Sequence, residues 1–375
     1  MHPIQQVYKF HYIATSFIDA IMKLKVLVLL ISYTCFAQVP AYYSNIDFTE
    51  SGESIKTQLT TLITNTHTTE LVYTSGSSGF LDTWTVLKQS DLDPANSSNV
   101  LLIYGWDDSA TNVSEHRTRD KNESCHTSSC TGKWVREHTF PKSLATPDLG
   151  TEGAGADAHN LRAVDAQRNN SRSNKLFGAA SSSSASYSIN SSSWYPGDEW
   201  IGDVARIIMY MQVRYPTQCA AINAATGGST FAPLLDMPDL LLQWNAQDPP
   251  SNFEINRNNS IASYQGNRNP FIDNPYLATM IWSGPVASDT WQVLDNDKHD
   301  RIQLTLYPTI TESMIYIQNA SDWDAKFYIY NTAGQQLQSG TLEEKQIDMS
   351  KYASGLFFIS VLQGNSNKTF KIVKK

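Results

Sequence analysis

The apolar period of this chain changes once, near Ile302, and the change demands two kinds of folding unit. Before it, apolar residues recur at helical spacing: Ile55, Leu59, Leu62 and Ile63 in one run, Val204, Ile207, Ile208 and Met211 in another. After it, alternating runs at Met314 to Ile317, Lys326 to Tyr330, Leu356 to Val361 and Lys368 to Val373 are separated by Ala333-Gly334, Ser339-Gly340, Ser354-Gly355 and Gly364-Asn365. Period-two patterning with glycine turns predicts a small antiparallel β-sandwich. The preceding part reads as mixed α+β: mainly helical at first, a buried strand over Val100 to Tyr104, and further helices at Leu240 to Trp244 and Asn274 to Trp282. With 41% hydrophobic residues in 375, both units can bury a core, so wholesale disorder is excluded. The expected division is 1–37 leader, 38–290 main domain and 291–375 sandwich.

The leader has its own logic. Val26 to Ile31 is a short apolar core behind Lys23 and Lys25, followed by the small residue Ala37, as in a secretory signal peptide. It is too short to span a membrane. The stretch before Met22 is foreign to such a signal, which puts the true start at Met22. An exported chain permits disulfides. Cys125 and Cys130 enclose four residues and read as one bridge; a zinc site with His126 is the alternative, without the second cysteine pair that usually completes one. Cys219 reads as a buried thiol.

Two polar clusters carry the chemistry. One is Trp134-Val135-Arg136-Glu137-His138-Thr139-Phe140-Pro141-Lys142-Ser143; the other runs from Asp157-Ala158-His159-Asn160-Leu161-Arg162 through Asp165, Arg168, Asn169 and Arg172 to Lys175. Cutting a phosphodiester needs a nucleophile, neutralisation of the phosphate and help for the leaving oxygen. An imidazole can activate water at neutral pH, and a hard cation on oxygen ligands serves the other two needs. Glu137 and His138 supply a ligand and a base. Neighbours on a regular strand point to opposite faces, so a strand end or bulge must bring them to one site. Asn169 adds a neutral carbonyl ligand, and a helix beginning there would put Asn169 and Arg172 on one face. Arg172, Arg168 and Lys175 are the cations available to a phosphate. His159 and Asn160 read as structural, Arg162 and Asp165 as a local ion pair, and Asp203 with Arg206 as a pair that ties one helix to the site.

These clusters resemble the endonuclease I family of secreted and periplasmic nucleases, whose sites are ββα-metal (His-Me) fingers. The carriers are Arg136-Glu137-His138 with Pro141, Asp157-Ala158-His159-Asn160-Leu161, then Asn169 and Arg172-Ser173-Asn174, and Gly202-Asp203-Val204-Ala205-Arg206 with Tyr210-Met211 and Arg214-Tyr215. The match is dense over about 115 to 215. The resemblance implies His138 as general base, Glu137 and Asn169 as Mg²⁺ ligands (Mn²⁺ or Ca²⁺ being possible replacements), and a non-specific endonuclease acting on DNA and RNA backbones that leaves 5′-phosphates. Some members carry a phosphate-binding Arg in a long insert; Ser143 to Ala156 here is short, Gly-rich and without Arg. The tail, with Tyr307-Pro308, Tyr330-Asn331-Thr332-Ala333-Gly334, Gly355-Leu356-Phe357 and Lys371-Ile372-Val373-Lys374-Lys375, resembles the C-terminal sorting domain of type IX secretion cargo. It implies passage through that machinery and a secreted or surface location. Independently of the tail, no later run is long enough to be a transmembrane helix, and a monomer is expected.

The net charge of −8 argues against a protein that packages nucleic acid. It does not argue against cutting it. Between His116 and Arg214, twelve Lys and Arg face ten Asp and Glu. A catalytically silent binding protein on the same fold is the alternative reading. A metalloprotease is disfavoured, because no HExxH helix signature is present.

Overall fold

In the computed structural model the described residues are 39–76, 80–127, 129–291, 305–318, 325–342, 346–363 and 366–375. The leader and the Met22 start lie outside them. The chain divides into two compact units, one closing at Gln292 and the other opening at Val293.

The first unit is built on helix α1 (Gly52–Asn65), helix α2 (Thr83–Ser90), strands β1 (Leu92–Asp93), β2 (Asn96–Leu101), β3 (Thr118–Asp120), β4 (Trp134–His138) and β5 (Leu161–Asp165), and helix α3 (Ala166–Arg172). Short strands β6 (Leu176–Phe177), β7 (Tyr187–Ser188) and β8 (Ser193–Tyr195) follow. The helices α4 (Ile201–Arg214), α5 (Asp239–Gln247), α6 (Asn252–Gln265), α7 (Pro270–Asp273) and α8 (Tyr276–Trp282) then close the unit. Local chemistry sets several of these starts. The Ser51 hydroxyl accepts the Ser54 amide at the head of α1, whose Ile55, Leu59 and Ile63 are buried at four-residue spacing. Ser251 and Glu254 form a reciprocal capping box on α6.

Antiparallel β4 and β5 pair in regular register, from Trp134 opposite Asp165 to His138 opposite Leu161. The strand pair leads directly into α3, giving a ββα unit. Trp84 and Leu87 of α2 pack with Val100, Leu102, Trp134, Leu161 and Ala163 beneath it. Burying those side chains supplies on the order of 2 kcal/mol each, which holds the pair flat against the helix.

Buried ions link this unit to the rest. Arg162 lies between Asp91 at 3.3 Å and Asp203 at 2.7 Å, Arg257 meets Asp91 at 2.8 Å, and Arg206 meets Glu254 at 2.7 Å. The expected Arg162–Asp165 pair does not form: residues three apart on a strand face opposite ways, and Asp165 instead takes Arg119 at 2.8 Å. Asp203 and Arg206 are 4.0 Å apart, yet each has a closer partner on another element, so they do bind α4 to the core.

The second unit comprises β9 (Thr305–Tyr307), β10 (Ile310–Thr311), β11 (Met314–Gln318), β12 (Lys326–Tyr330), β13 (Gln336–Thr341), β14 (Gln346–Asp348), β15 (Gly355–Gln363) and β16 (Ser366–Lys374). A five-stranded sheet of order β10-β16-β15-β12-β13 and a three-stranded sheet of order β14-β11-β9 share one core around Ile315, Ile329, Ile359 and Ile372. The sandwich is as expected except at one edge. β10 runs parallel to β16, because Ile310 and Thr311 lie beside Val373 and Lys374.

Candidate active site

A cavity of about 320 Å³ opens at the end of β4, and Glu137, His138, Asn169 and Arg172 all line it, with Arg136, Lys142 and Asn174. Glu137 and His138 reach one cavity through a strand end, without a bulge: His138 is the last residue of β4 and its pairing is regular. The chain then turns through Phe140-Pro141. That turn is fixed by Asn160, whose Oδ1 accepts the Phe140 amide at 2.7 Å and whose Nδ2 donates to the Phe140 carbonyl at 3.3 Å. Asn160 is thus a structural clamp, as the sequence suggests.

His138 is 7% exposed. Its Nε2 lies 2.9 Å from the Gly155 carbonyl. A carbonyl only accepts, so Nε2 carries the proton and Nδ1 keeps the lone pair. Burial, reinforced by the Lys142, Arg136 and Arg172 charges, pushes the imidazole down to about 4, while the Gly155 carbonyl opposes that shift. The ring is therefore neutral at neutral pH, with its Nδ1 lone pair unprotonated. Gly155 can only be glycine here, since a Cβ would stand 2.1 Å from the Gly150 carbonyl oxygen.

Glu137 is buried, which raises its pKa, while Arg172 and the Tyr104 hydroxyl favour its ionised form. Tyr104 donates to Oε1 at 2.9 Å, and Arg172 Nη1 lies 2.9 Å from the same oxygen. Oε2 accepts no hydrogen bond among the described residues. Asn169 is half-buried in α3, capped by Asp165, which accepts the Gln167 and Arg168 amides. Its amide has no partner among the described residues. One carboxylate oxygen and one amide oxygen, both uncommitted on a shared cavity wall, fit a hard divalent cation that keeps most of its waters. The described residues hold no cluster of three or more His, Cys, Asp or Glu suited to a metal.

Three sequence expectations need correction. α3 ends at Arg172 and does not begin at Asn169, because Asp165 is its cap. Arg168 does not line the cavity: its guanidinium stacks on Trp106 at 4.5 Å and donates to the Ser114 and Ser186 carbonyls. Lys175 does not line it either and donates to the Ser171 carbonyl. Arg172 does line it, but is fully buried, pairs with Glu137 and donates to the carbonyls of His138 and Thr139. It holds the end of β4 and does not meet solvent.

The cations that remain uncompensated are Arg136 and Lys142, neither with a carboxylate partner among the described residues. Sequence reasoning missed both. A signal was present for one: Arg136 and His138 are two apart on a strand and so share a face. The Arg136 guanidinium lies between Tyr73 at 3.4 Å and Trp84 at 4.0 Å, and donates to Thr83 Oγ1 at 2.7 Å and Thr74 Oγ1 at 3.0 Å. Burial lowers its pKa to about 10, which leaves it charged at neutral pH.

His159 is buried away from the cavity, with Nε2 3.3 Å from the Asn267 carbonyl. Asp157 accepts the Tyr210 hydroxyl at 2.6 Å and the Tyr215 hydroxyl at 2.9 Å, so α4 and the residue after it brace the segment that begins at Asp157. Cys125 and Cys130 form a disulfide, which removes the zinc alternative, and Cys219 is free and buried. No helix among the described residues is long and apolar enough to cross a membrane.

Comparison with known proteins identifies the family. Residues 51–276 match the family model for Endonuclease I, and residues 305–375 match that for the secretion system C-terminal sorting domain. The chain is 36% identical over 256 residues to an extracellular ribonuclease of Bacillus subtilis (strain 168), covering 66% of this chain and 80% of the relative. It is 37% identical over 255 residues to an extracellular ribonuclease of Bacillus amyloliquefaciens, covering 66% and 79%. The silent-binder alternative is set aside. The chain belongs to the endonuclease I family: it is a secreted or surface nuclease that carries a C-terminal secretion sorting domain.

Proposed function

We propose that this nuclease is a metal-dependent, sequence-non-specific endonuclease of the His-Me finger type, acting on RNA and DNA as a monomer and leaving 5′-phosphates. The observation that supports it best is the His138 tautomer. With its Nε2 proton given to Gly155, the ring holds a lone pair at Nδ1 in a cavity shared with Glu137 and Asn169.

Glu137 and Asn169 would hold Mg²⁺. When bound, the ion supplies charge neutralisation at the phosphate and at the departing 3′-oxygen. His138 Nδ1 takes the proton of a water, whose oxygen attacks phosphorus as the 3′-oxygen leaves. The phosphate is oriented by Arg136 and Lys142, with Arg172 fixing Glu137 behind them. Contacts of this kind go to backbone phosphate, which supports cleavage without sequence reading. RNA as a substrate is supported by the printed names of the two relatives. Export through a type IX secretion machinery is supported by the sorting domain, and a cleavable signal peptide at 1–37 completes that route.

The test is digestion of defined RNA and DNA by the full chain, with and without EDTA. The proposal expects EDTA-sensitive cutting of both, with 5′-phosphate ends by end-labelling. Cleavage unaffected by EDTA, or 3′-phosphate ends, would sink it.

A further inference from the structure

Beside the catalytic cavity lies a second groove of about 260 Å³, which shares Arg136 with it and is lined by Tyr73, Thr74, Trp84, His126 and Thr127. Its walls form a column of flat groups. His126 lies on Trp84 with centroids 4.1 Å apart and planes 31° apart. Trp84 lies on the Arg136 guanidinium, Arg136 lies on Tyr73, and Tyr73 stacks on His138 at 5.5 Å and 30°. The column runs from an exposed imidazole to the general base.

His126 is the open end of this column. The residue is exposed, whereas Trp84 beneath it is buried. The Ser124 hydroxyl meets its Nε2 at 3.2 Å, and the Cys125–Cys130 disulfide closes the loop that carries it. A ring held this way is a stacking platform that has already given up much of its rotamer freedom. Desolvation lowers its pKa, with the Arg136 and Lys88 charges adding to the effect. A neutral ring at neutral pH has no charge to neutralise before a base can lie on it.

The opposite exit from Tyr73 is different. It leads to a cavity lined by Glu70, Val72, Thr74, Thr151 and Glu152, with two exposed carboxylates and no cation. A polyanion leaving the catalytic cavity is repelled there and attracted along Arg136.

We infer that the Tyr73–Trp84–His126 groove is a subsite for the nucleotide next to the scissile phosphate, with that nucleotide's phosphate on Arg136 and its base stacked on His126. The inference rests on the nuclease reading and adds a substrate class to it. In a duplex both faces of each base are already covered by neighbours, so only an unstacked base can enter. The subsite therefore selects single-stranded nucleic acid, without regard to which base is present, since every base has a π-face.

The test is fluorescence anisotropy of the full chain with a labelled single-stranded oligonucleotide in EDTA, so that nothing is cut. The same oligonucleotide with abasic sugars throughout, and the duplex form, serve as comparisons. Wild type is expected to bind the base-bearing strand roughly five- to a hundredfold tighter than the abasic one, the range for stacking one base. His126→Ala should narrow that ratio to about twofold, and His126→Trp should restore it. With metal present, His126→Ala should raise KM on single strands and leave kcat within about twofold. A wild-type ratio near one overturns the subsite whatever the variants do. So does an unchanged ratio in His126→Ala, or a His126→Trp that behaves like His126→Ala. Failure of the nuclease reading would show separately, as wild-type protein that binds but does not cut.

Discussion

His138 Nε2 stands 2.9 Å from the carbonyl oxygen of Gly155, seventeen residues later in the chain, and this one contact decides which ring nitrogen carries the proton. That carbonyl comes from the loop between β4 and β5. His138→Ala should lower kcat by about a hundredfold to ten-thousandfold, the usual worth of a positioned base, with an unchanged circular dichroism spectrum. Gly155→Ala tests the same contact from the other side. Its Cβ would meet the Gly150 carbonyl at 2.1 Å, so the loop must shift. We expect kcat to fall tenfold or more while His138 is still present. Wild-type turnover by either variant would refute the assignment.

Arg172 and Arg168 lie four apart on one short helix and should behave differently. Arg172→Met leaves Glu137 buried without its cation, a loss of about 3–5 kcal/mol for a broken buried pair. Thermal unfolding should register this before any assay does. Arg168→Ala loses stacking on Trp106 at a half-exposed position, and should keep activity within about threefold, since its side chain is outside the cavity. Equal effects of the two substitutions on activity at unchanged stability would instead mark both as phosphate contacts.

Metal dependence should map onto two residues of unequal strength. Glu137→Gln removes the only carboxylate on the cavity wall among the described residues and should cost about a hundredfold or more at saturating Mg²⁺. Asn169→Ala should chiefly raise the metal concentration required, and titration with Mg²⁺ should recover much of its activity. Calorimetric titration of metal into each variant separates the two outcomes. Tight binding by a Glu137→Gln, Asn169→Ala double variant would place the ion elsewhere.

Acid should destabilise the first unit through His159. Its folded pKa is pushed down to about 4, chiefly by burial, against about 6.5 when unfolded. As pH falls from 6.5 toward 4 the unfolded chain takes up the proton first, so stability is lost across that window, by about 3 kcal/mol from this group. His159→Gln keeps a donor toward the Asn267 carbonyl without the titration. Melting temperatures between pH 7 and pH 4 should fall less steeply for this variant than for wild type. Parallel curves would show that His159 does not drive the acid limb.

Much of the site is legible in the chain because its members are close in sequence. Glu137 and His138 are adjacent, and Asn169 sits in the helix that follows the second strand, so motif spacing alone assembles them. The sandwich is legible for a similar reason, since period two needs only neighbours. α6 is not legible in the sequence, as its buried face carries Glu254, Arg257, Asn258 and Gln265, which show no apolar period. Arg168 and Lys175 stay out of the cavity for reasons that spacing does not carry: Trp106 and the Ser114 and Ser186 carbonyls hold the Arg168 guanidinium, and Lys175 lies past the end of α3 and donates back to Ser171.

The sequence by itself determined the family, the change of period that separates helical from sandwich patterning, and which candidate residues stand in order along the two motifs. Those properties are written in periodicity and in short motifs. The tertiary structure alone decided that Gly155 sets the tautomer, that Asp165 starts α3 early enough to bury Arg172 against Glu137, and that Arg136 lies in a column with Tyr73 and Trp84. Each depends on groups from distant segments meeting in a desolvated place, where an unpaired charge or donor costs far more than in water. Local spacing fixes which residues are present, and packing fixes which of them remain free to act.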